Sequence, residues 1–261
     1  MDLGLDDETV LVTASSSGLG RGCAESLVAE GADVTICGRD AERLAAAESG
    51  VADAGPGDVL AVQADVTDPD DVENLVDASV AEYGGLDHLV TSAGGVPPGS
   101  FDDLSDKQWY GAYDTLVMSV VWTVREAYPH LAESDAGSIT CITSTSVRET
   151  IDDLLLSNAV RRGVVGLVKS ISREFAPEVR ANAVLPGAHE TARIEELIEA
   201  AIDRGEFADY EAGLADWASE IPLNRIGDPR ELGDTVAFLA SERASFVNGV
   251  ALPVDGGRLR S

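Results

Sequence analysis

The chain has 261 residues, 44% of them hydrophobic, with 47 acidic against 18 basic side chains and a formal net charge of −29. That apolar content excludes a disordered acidic chain, and no apolar run reaches the roughly 18 residues that span a bilayer. A field of that sign repels nucleic acid and anionic membranes, which excludes both as partners.

The N-terminal "MDLGLDDETVLVT" lacks the basic start and apolar stretch of a secretory signal, so a cytoplasmic location is expected. Short β-branched runs then alternate with helical patterns, which predicts βαβ units around a parallel sheet. "TVLVT" (9–13) is the first candidate strand, and a turn of small residues leads from it into the helix "RGCAESLVAEG". "DVTIC" (33–37) is the second, with Asp40 placed to cap "AERLAAAES". "DVLAVQ" (58–63) is the third, and Asp68-Pro69 gives the next helix a cap and a first-turn proline. "LDHLVT" (86–91) is the fourth, after which Ser105 and Gln108 form a capping box. "SITCIT" (138–143), "RANAVL" (180–185) and "GVALPV" (249–254) complete the set, and Asp228-Pro229-Arg230-Glu231 opens the last long helix.

No linker or repeat divides the chain, so residues 1–261 are expected to form one domain. The stretch at about 188–220 departs from the alternation, being acidic and mostly helical. Such sheets bind ligands beyond the carboxyl ends of their strands, so a substrate lid is expected there. Cys23, Cys37 and Cys141 lie far apart in apolar settings and without metal-ligand spacing, which predicts buried thiols and no metal site. His88, His130 and His189 form no motif.

The turn after the first strand reads Thr13-Ala14-Ser15-Ser16-Ser17-Gly18-Leu19-Gly20. Small residues there let a pyrophosphate approach the backbone, and the following helix offers free N–H groups and the positive end of its dipole. "TASSSGLG", Asp65-Val66, Thr91-Ser92-Ala93-Gly94, Pro186-Gly187 with Thr191, and the closing "VAFLASERASFVNGVALPVDGG" occur in order along the chain. On these motifs the chain resembles the short-chain dehydrogenase/reductase family over essentially its full length, in the manner of 3-oxoacyl-acyl-carrier-protein reductases. The resemblance implies a Rossmann-like, doubly wound α/β fold with a seven-stranded parallel sheet in the order 3-2-1-4-5-6-7. It also implies an NAD(P)(H)-dependent enzyme acting on a small carbonyl or alcohol, and a homotetramer or dimer. Thr13, Ser15, Ser17, Gly18 and Leu19 would cradle the pyrophosphate. Asp65 and Val66 would meet the adenine, while Ser92, Ala93 and Gly94 would line the cofactor. Pro186, Gly187 and Thr191 would reach the nicotinamide carboxamide.

Two cofactor-site departures stand out. Ala14 replaces the family's first glycine, a small change if its φ is negative. Ser92 replaces an asparagine that fastens the fourth strand to its neighbour. At the end of the second strand, Gly38-Arg39 stands where NAD-specific members carry an acid, and a guanidinium grips a 2′-phosphate by paired hydrogen bonds. NADP(H) is therefore expected over NAD(H).

The chemical residues depart further. The family's serine is Ser144, but its tyrosine position holds Ser157, its lysine position Arg161, and its relay asparagine Leu116. Ser157 and Arg161, four apart, share a helix face, with Gly163 and Gly166 following to permit close packing. A serine hydroxyl is a weaker acid than tyrosine, and arginine stays protonated. Asp152, Asp153, His189 and Glu190 are the candidate replacement acids. Two functions follow: an oxidoreductase with a rearranged proton relay, or a catalytically silent NADP(H)-binding sensor or oligomer partner. The acidic, lysine-poor composition, with only Lys107 and Lys169, resembles that of proteins from salt-accumulating halophiles.

Overall fold

The computed structural model describes residues 2–260. In chain order its elements are β1 (Thr9–Val12), α1 (Gly18–Ala29), β2 (Asp33–Gly38), α2 (Ala41–Ala52), β3 (Val59–Gln63), α3 (Pro69–Tyr83), β4 (His88–Thr91), α4 (Asp106–Tyr113), α5 (Ser119–Leu131), β5 (Ser138–Ile142), α6 (Leu155–Glu174), β6 (Arg180–Pro186), α7 (Ala192–Asp203), α8 (Tyr210–Ser219), α9 (Pro229–Ala240) and β7 (Ala251–Val254). The strands form one parallel sheet in the order β3-β2-β1-β4-β5-β6-β7. Reversal of the winding at β1 and β4 opens a crevice beyond their carboxyl ends, which is where this topology takes its ligand.

Alternation along the strands sends side chains to two cores. Val10, Val12, Val34 and Ile36 pack with α1 and α9, while Leu11, Leu89, Ile139 and Cys141 pack against α3, α5 and α6. The caps read from sequence form. Asp40 accepts from the Arg43 N–H, Asp68 precedes Pro69 as a cap, and Ser105 and Asp228 close capping boxes with Gln108 and Glu231. Each such cap is worth about 1 kcal/mol, so the helix starts are set locally. Burial pushes the Cys141 thiol up to about 11 and that of Cys37 up to about 12, which keeps both protonated; Cys23 is buried and free as well. Among the described residues no helix is long and apolar enough to cross a membrane, and no cluster of residues could hold a metal.

Between α4 and α5 the helix widens into a π-helical turn at Asp114–Met118, in which the Ser119 N–H reaches back five residues to the Asp114 carbonyl. Leu116 sits in this turn, buried. The expected lid region contains α7 and α8, packed on each other through contacts such as Gly213 with Ile198. Tyr210, at the start of α8, donates to Glu190 (3.3 Å).

Candidate active site

The crevice has two communicating chambers of 610 Å³ and 310 Å³ that share Ala14, Ser17, Gly94 and Gly95 as their common wall. The turn between β1 and α1 makes that wall. Gly18 needs φ +58°, and Gly20 has no room for a Cβ, which would stand 2.7 Å from the Ala14 carbonyl oxygen. Ala14 has φ +47°, so the condition for a small change is not met: it sits in the left-handed region, where a non-glycine residue loses about 1–2 kcal/mol. Its N–H donates to Cys37 Sγ (3.3 Å), so β2 helps to hold the turn.

Two of the expected pyrophosphate contacts have other work. Ser15 is fully buried, donates to the Val12 carbonyl (2.6 Å) and accepts from the Cys37 N–H (3.0 Å), and its own N–H goes to the Cys37 carbonyl. Thr13 Oγ1 donates to the Ser92 carbonyl (2.8 Å) and accepts from the Ser92 N–H (2.9 Å), while its N–H goes to Val90. Both residues build the turn, with their hydroxyl and N–H groups committed to the chain. Thr13 thereby supplies the fastening between β1 and the end of β4 that the loss of an asparagine at Ser92 had put in doubt. Ser17, Gly18 and Leu19 do line the smaller chamber, together with Ser92, Ala93, Gly94, Gly187 and Thr191. Pro186 ends β6, and the Gly187 N–H donates to the Val254 carbonyl (3.0 Å).

The larger chamber holds Arg39, Asp65 and Val66 as expected, and adds Ser16 and Arg43, which sequence reasoning missed. Arg43 lies in the first turn of α2, four residues after Arg39. Burial pushes the Asp65 carboxyl up, but the Thr67 N–H (3.0 Å), the Thr67 hydroxyl (2.7 Å) and the Arg39 guanidinium (3.8 Å) together hold it below its ordinary value. Asp40 is committed to the α2 N-terminus, with Oδ1 2.8 Å from the Arg43 nitrogen.

The wall of the smaller chamber includes Ile142, Thr143 and Arg161, and Ser144 and Ser157 adjoin them. β5 ends at Ile142, and Ser144 follows, half-buried, its Oγ accepting from the Ser146 N–H (3.1 Å). Arg161 lines the chamber from α6. It donates from Nε to Ser157 Oγ (3.2 Å) and, over a longer 3.4 Å, from Nη1 to the Thr143 carbonyl. Among the described residues no carboxylate stands within ion-pair distance of it. Burial pulls its pKa down to about 10, so it remains a cation at neutral pH. Ser157 Oγ also lies 3.3 Å from Ser146 Oγ. Asn158, whose role the sequence gave no sign of, clamps the preceding loop by bonding both the N–H (3.1 Å) and the carbonyl (2.7 Å) of Ile151.

None of the four candidate acids bonds to this trio. Asp152 and Asp153 are exposed in the turn before α6, and Glu190 is exposed beside Tyr210. The His189 ring is packed against Gly227, with Nδ1 3.2 Å from the Gly187 carbonyl. Burial lowers its pKa, which keeps it neutral. The close packing expected at Gly163 and Gly166 does not occur within the chain. A Cβ at Gly163 would only touch Val117, and Gly166 faces open space.

A doubly wound parallel sheet with a glycine turn, an acid after β3 and Arg161 lining the crevice defines a dinucleotide-dependent oxidoreductase of the Rossmann type. Comparison makes this specific: the family model described as Enoyl-(Acyl carrier protein) reductase matches residues 13–258, and the chain belongs to the short-chain dehydrogenase/reductase family of NAD(P)-dependent oxidoreductases. A 3-oxoacyl-acyl-carrier-protein reductase from Staphylococcus aureus is 30% identical over 253 residues, 96% of this chain and 97% of the relative. L-sorbose reductase from Gluconobacter frateurii, solved with NADPH and L-sorbose, superposes with a TM-score of 0.95 at 29% identity over 100% of both chains. An NADPH-bound short-chain oxidoreductase from Pseudomonas aeruginosa PAO1, described as containing an atypical catalytic centre, superposes at 0.91 with 32% identity over 98% of each.

Proposed function

We propose that the protein transfers hydride between NADP(H) and a small carbonyl or alcohol through a rearranged site made of Ser144, Ser157 and Arg161. The observation that carries this reading is Arg161, an ion without a carboxylate partner among the described residues, bonded to Ser157 and aimed into the cofactor crevice. A part-buried cation with no counter-ion costs stability, and a site merely drifting from its ancestor has no reason to keep one. The residues fit a dinucleotide: a Cβ at Gly94 or Gly95 would meet nothing within 4 Å, so the trough between the chambers is clear of side chains. Ser17, Gly18 and Leu19 would hold the pyrophosphate, Asp65 and Val66 the adenine, and Arg161 the nicotinamide ribose. The bound cofactor supplies or accepts the hydride.

The rest of the chemistry falls to the chain. Ser144 donates to the reacting oxygen. Arg161 offsets the negative charge that develops there, an effect that grows when water is excluded. Ser157, shorter than a tyrosine by a ring, orders a water that passes the proton. Arg39, Arg43 and Ser16 would hold a 2′-phosphate, and Asp40 is committed elsewhere, so NADP(H) is favoured over NAD(H). Residues 188–220, carrying α7 and α8, serve as the substrate lid. Tyr110 (73% exposed) and Tyr113 beside Gly163 give an apolar face suited to self-association, as a homotetramer requires. Three free buried thiols suit a cytoplasmic location.

The test is deuterium transfer. With 4-deuterated NADPH, molar KCl and a panel of ketoses, ketones and 3-oxoacyl thioesters, at least one alcohol product should carry deuterium by mass spectrometry. Tight NADPH binding with no labelled product on either cofactor face would favour the silent sensor.

A further inference from the structure

We infer that Ser146 is a positioning residue that leaves the hydroxyl protons of both Ser144 and Ser157 free for the substrate oxygen or its water. The inference rests on the oxidoreductase reading above. Ser146 is fully buried, in the tight turn Thr145–Val147 that follows Ser144. Its N–H donates to Ser144 Oγ (3.1 Å), which occupies that oxygen as an acceptor and leaves its proton uncommitted among the described residues. The Ser146 hydroxyl has one partner among those residues, Ser157 Oγ at 3.3 Å. The separation is long for a hydroxyl pair, so the contact orients more than it binds.

The direction of that contact follows from counting donors. The Arg161 guanidinium only donates, so Ser157 Oγ accepts from Nε at 3.2 Å. If Ser157 also donated to Ser146, the Ser146 proton would be buried with no acceptor. Buried donors are rarely left unpaired, because the lost hydration is not recovered. If Ser146 donates instead, its fully buried hydroxyl has an acceptor, and the proton left over is that of Ser157, which is 8% exposed. Ser157 Oγ then accepts twice, once from a cation, and its own proton has no acceptor among the described residues. Hydrogen bonds to charged groups are the stronger kind, so Ser157 is held and polarised as a donor. One buried serine thus acts on Ser144 through its main chain and on Ser157 through its hydroxyl.

The test is a double-mutant cycle on the full-length protein with NADPH and the best substrate of the panel. Ser146→Ala should lower kcat by about tenfold, less than the roughly 10²–10³ that follows loss of a direct donor. KM and the NADPH Kd should stay within about twofold, because neither ligand touches Ser146; Ser146→Cys, of similar size and a weaker donor, should fall between. In a Ser157→Ala background the same substitution should have no further effect, since the residue it acts through is gone. Equal effects in both backgrounds, or a raised KM with kcat unchanged, would overturn the role. If Ser146→Ala fails to fold, the cycle run with Ser146→Cys decides by the same criteria. A wild-type protein that turns over no substrate would sink the oxidoreductase reading and this role with it. Turnover in wild type with additive effects would sink the role alone.

Discussion

The turn at 13–20 and the first turns of α6 line the same crevice, yet they respond to substitution in different ways. The turn works through its main chain, which offers N–H groups and open space. An alanine at position 14, where the resemblance implies glycine, holds a left-handed φ of 47° and leaves the trough clear. α6 works through side-chain protons. On the proposed reading, Ser157 and Arg161 stand where the family resemblance implies a tyrosine and a lysine, which would keep the helix and its face but remove that proton donor. Sites built from backbone tolerate sequence change at a small cost in strain, and sites built from titrating groups change their chemistry with it.

The largest effect that would break this contrast is at Arg161. Arg161→Met, similar in volume, should abolish turnover and weaken NADPH binding while leaving the melting temperature unchanged or raised, because it removes a desolvated cation. A variant that melts normally and keeps its turnover would contradict the role given to Arg161. In the unmodified protein, NADPH affinity should hold through neutral pH and fall as pH rises through about 10, where Arg161 loses its proton. A plateau to about pH 11 in a fluorescence titration would separate cofactor binding from that charge.

Salt comes next. With a net charge of −29, like charges repel until ions screen them, and the screening length shrinks from about 10 Å at 0.1 M to about 3 Å at 1 M. The melting temperature should climb steeply with KCl, and a flat profile would reject the halophile reading. At the adenosine end, Arg39→Ala should remove roughly 1.5–3 kcal/mol of NADPH affinity, the worth of a hydrogen bond to a charged group, and leave NADH unaffected in parallel calorimetry. Within the turn, Ala14→Gly should raise stability by about 1 kcal/mol, because glycine accepts the left-handed angle. A stability loss on chemical denaturation would mean that the Ala14 methyl packs usefully.

The smallest effect lies outside the crevice. Arg225 holds Glu231 down to about 2, helped by the Asp228 N–H. A carboxylate lowered in the folded state adds stability above its ordinary value, and that part is lost as pH falls toward 2. Arg225→Ala should therefore flatten the stability profile slightly between about pH 4 and 2, with its small stability loss fully present at pH 7 and gone below about pH 2.

Legibility followed the same division. The seven strands and the caps at Asp40, Asp68, Ser105 and Asp228 were readable because alternation and capping are local rules, while the strand order came from the family resemblance. So was the crevice wall, since a small-residue turn after the first strand has one place to go. The positive φ of Ala14 was not, because it depends on the hold of Cys37 on β2, across the sheet. Ser15 and Thr13 looked like ligand contacts because a motif records which residues are kept, and not which way their hydroxyls turn. Ser146 and Asn158 were invisible for a related reason: each acts on a partner that folding brings near.

Everything proposed for the crevice requires α6 to be a working variant and not a silenced one. The most direct measurement compares the unmodified protein with Ser157→Tyr/Arg161→Lys for NADPH-dependent turnover across one substrate panel at molar KCl. The unmodified protein should show measurable turnover, with the family pair giving no general gain, since Ser146 and Thr143 are arranged around Ser157 and Arg161. An unmodified protein silent on every substrate, beside a restored pair that turns over, would contradict a working α6.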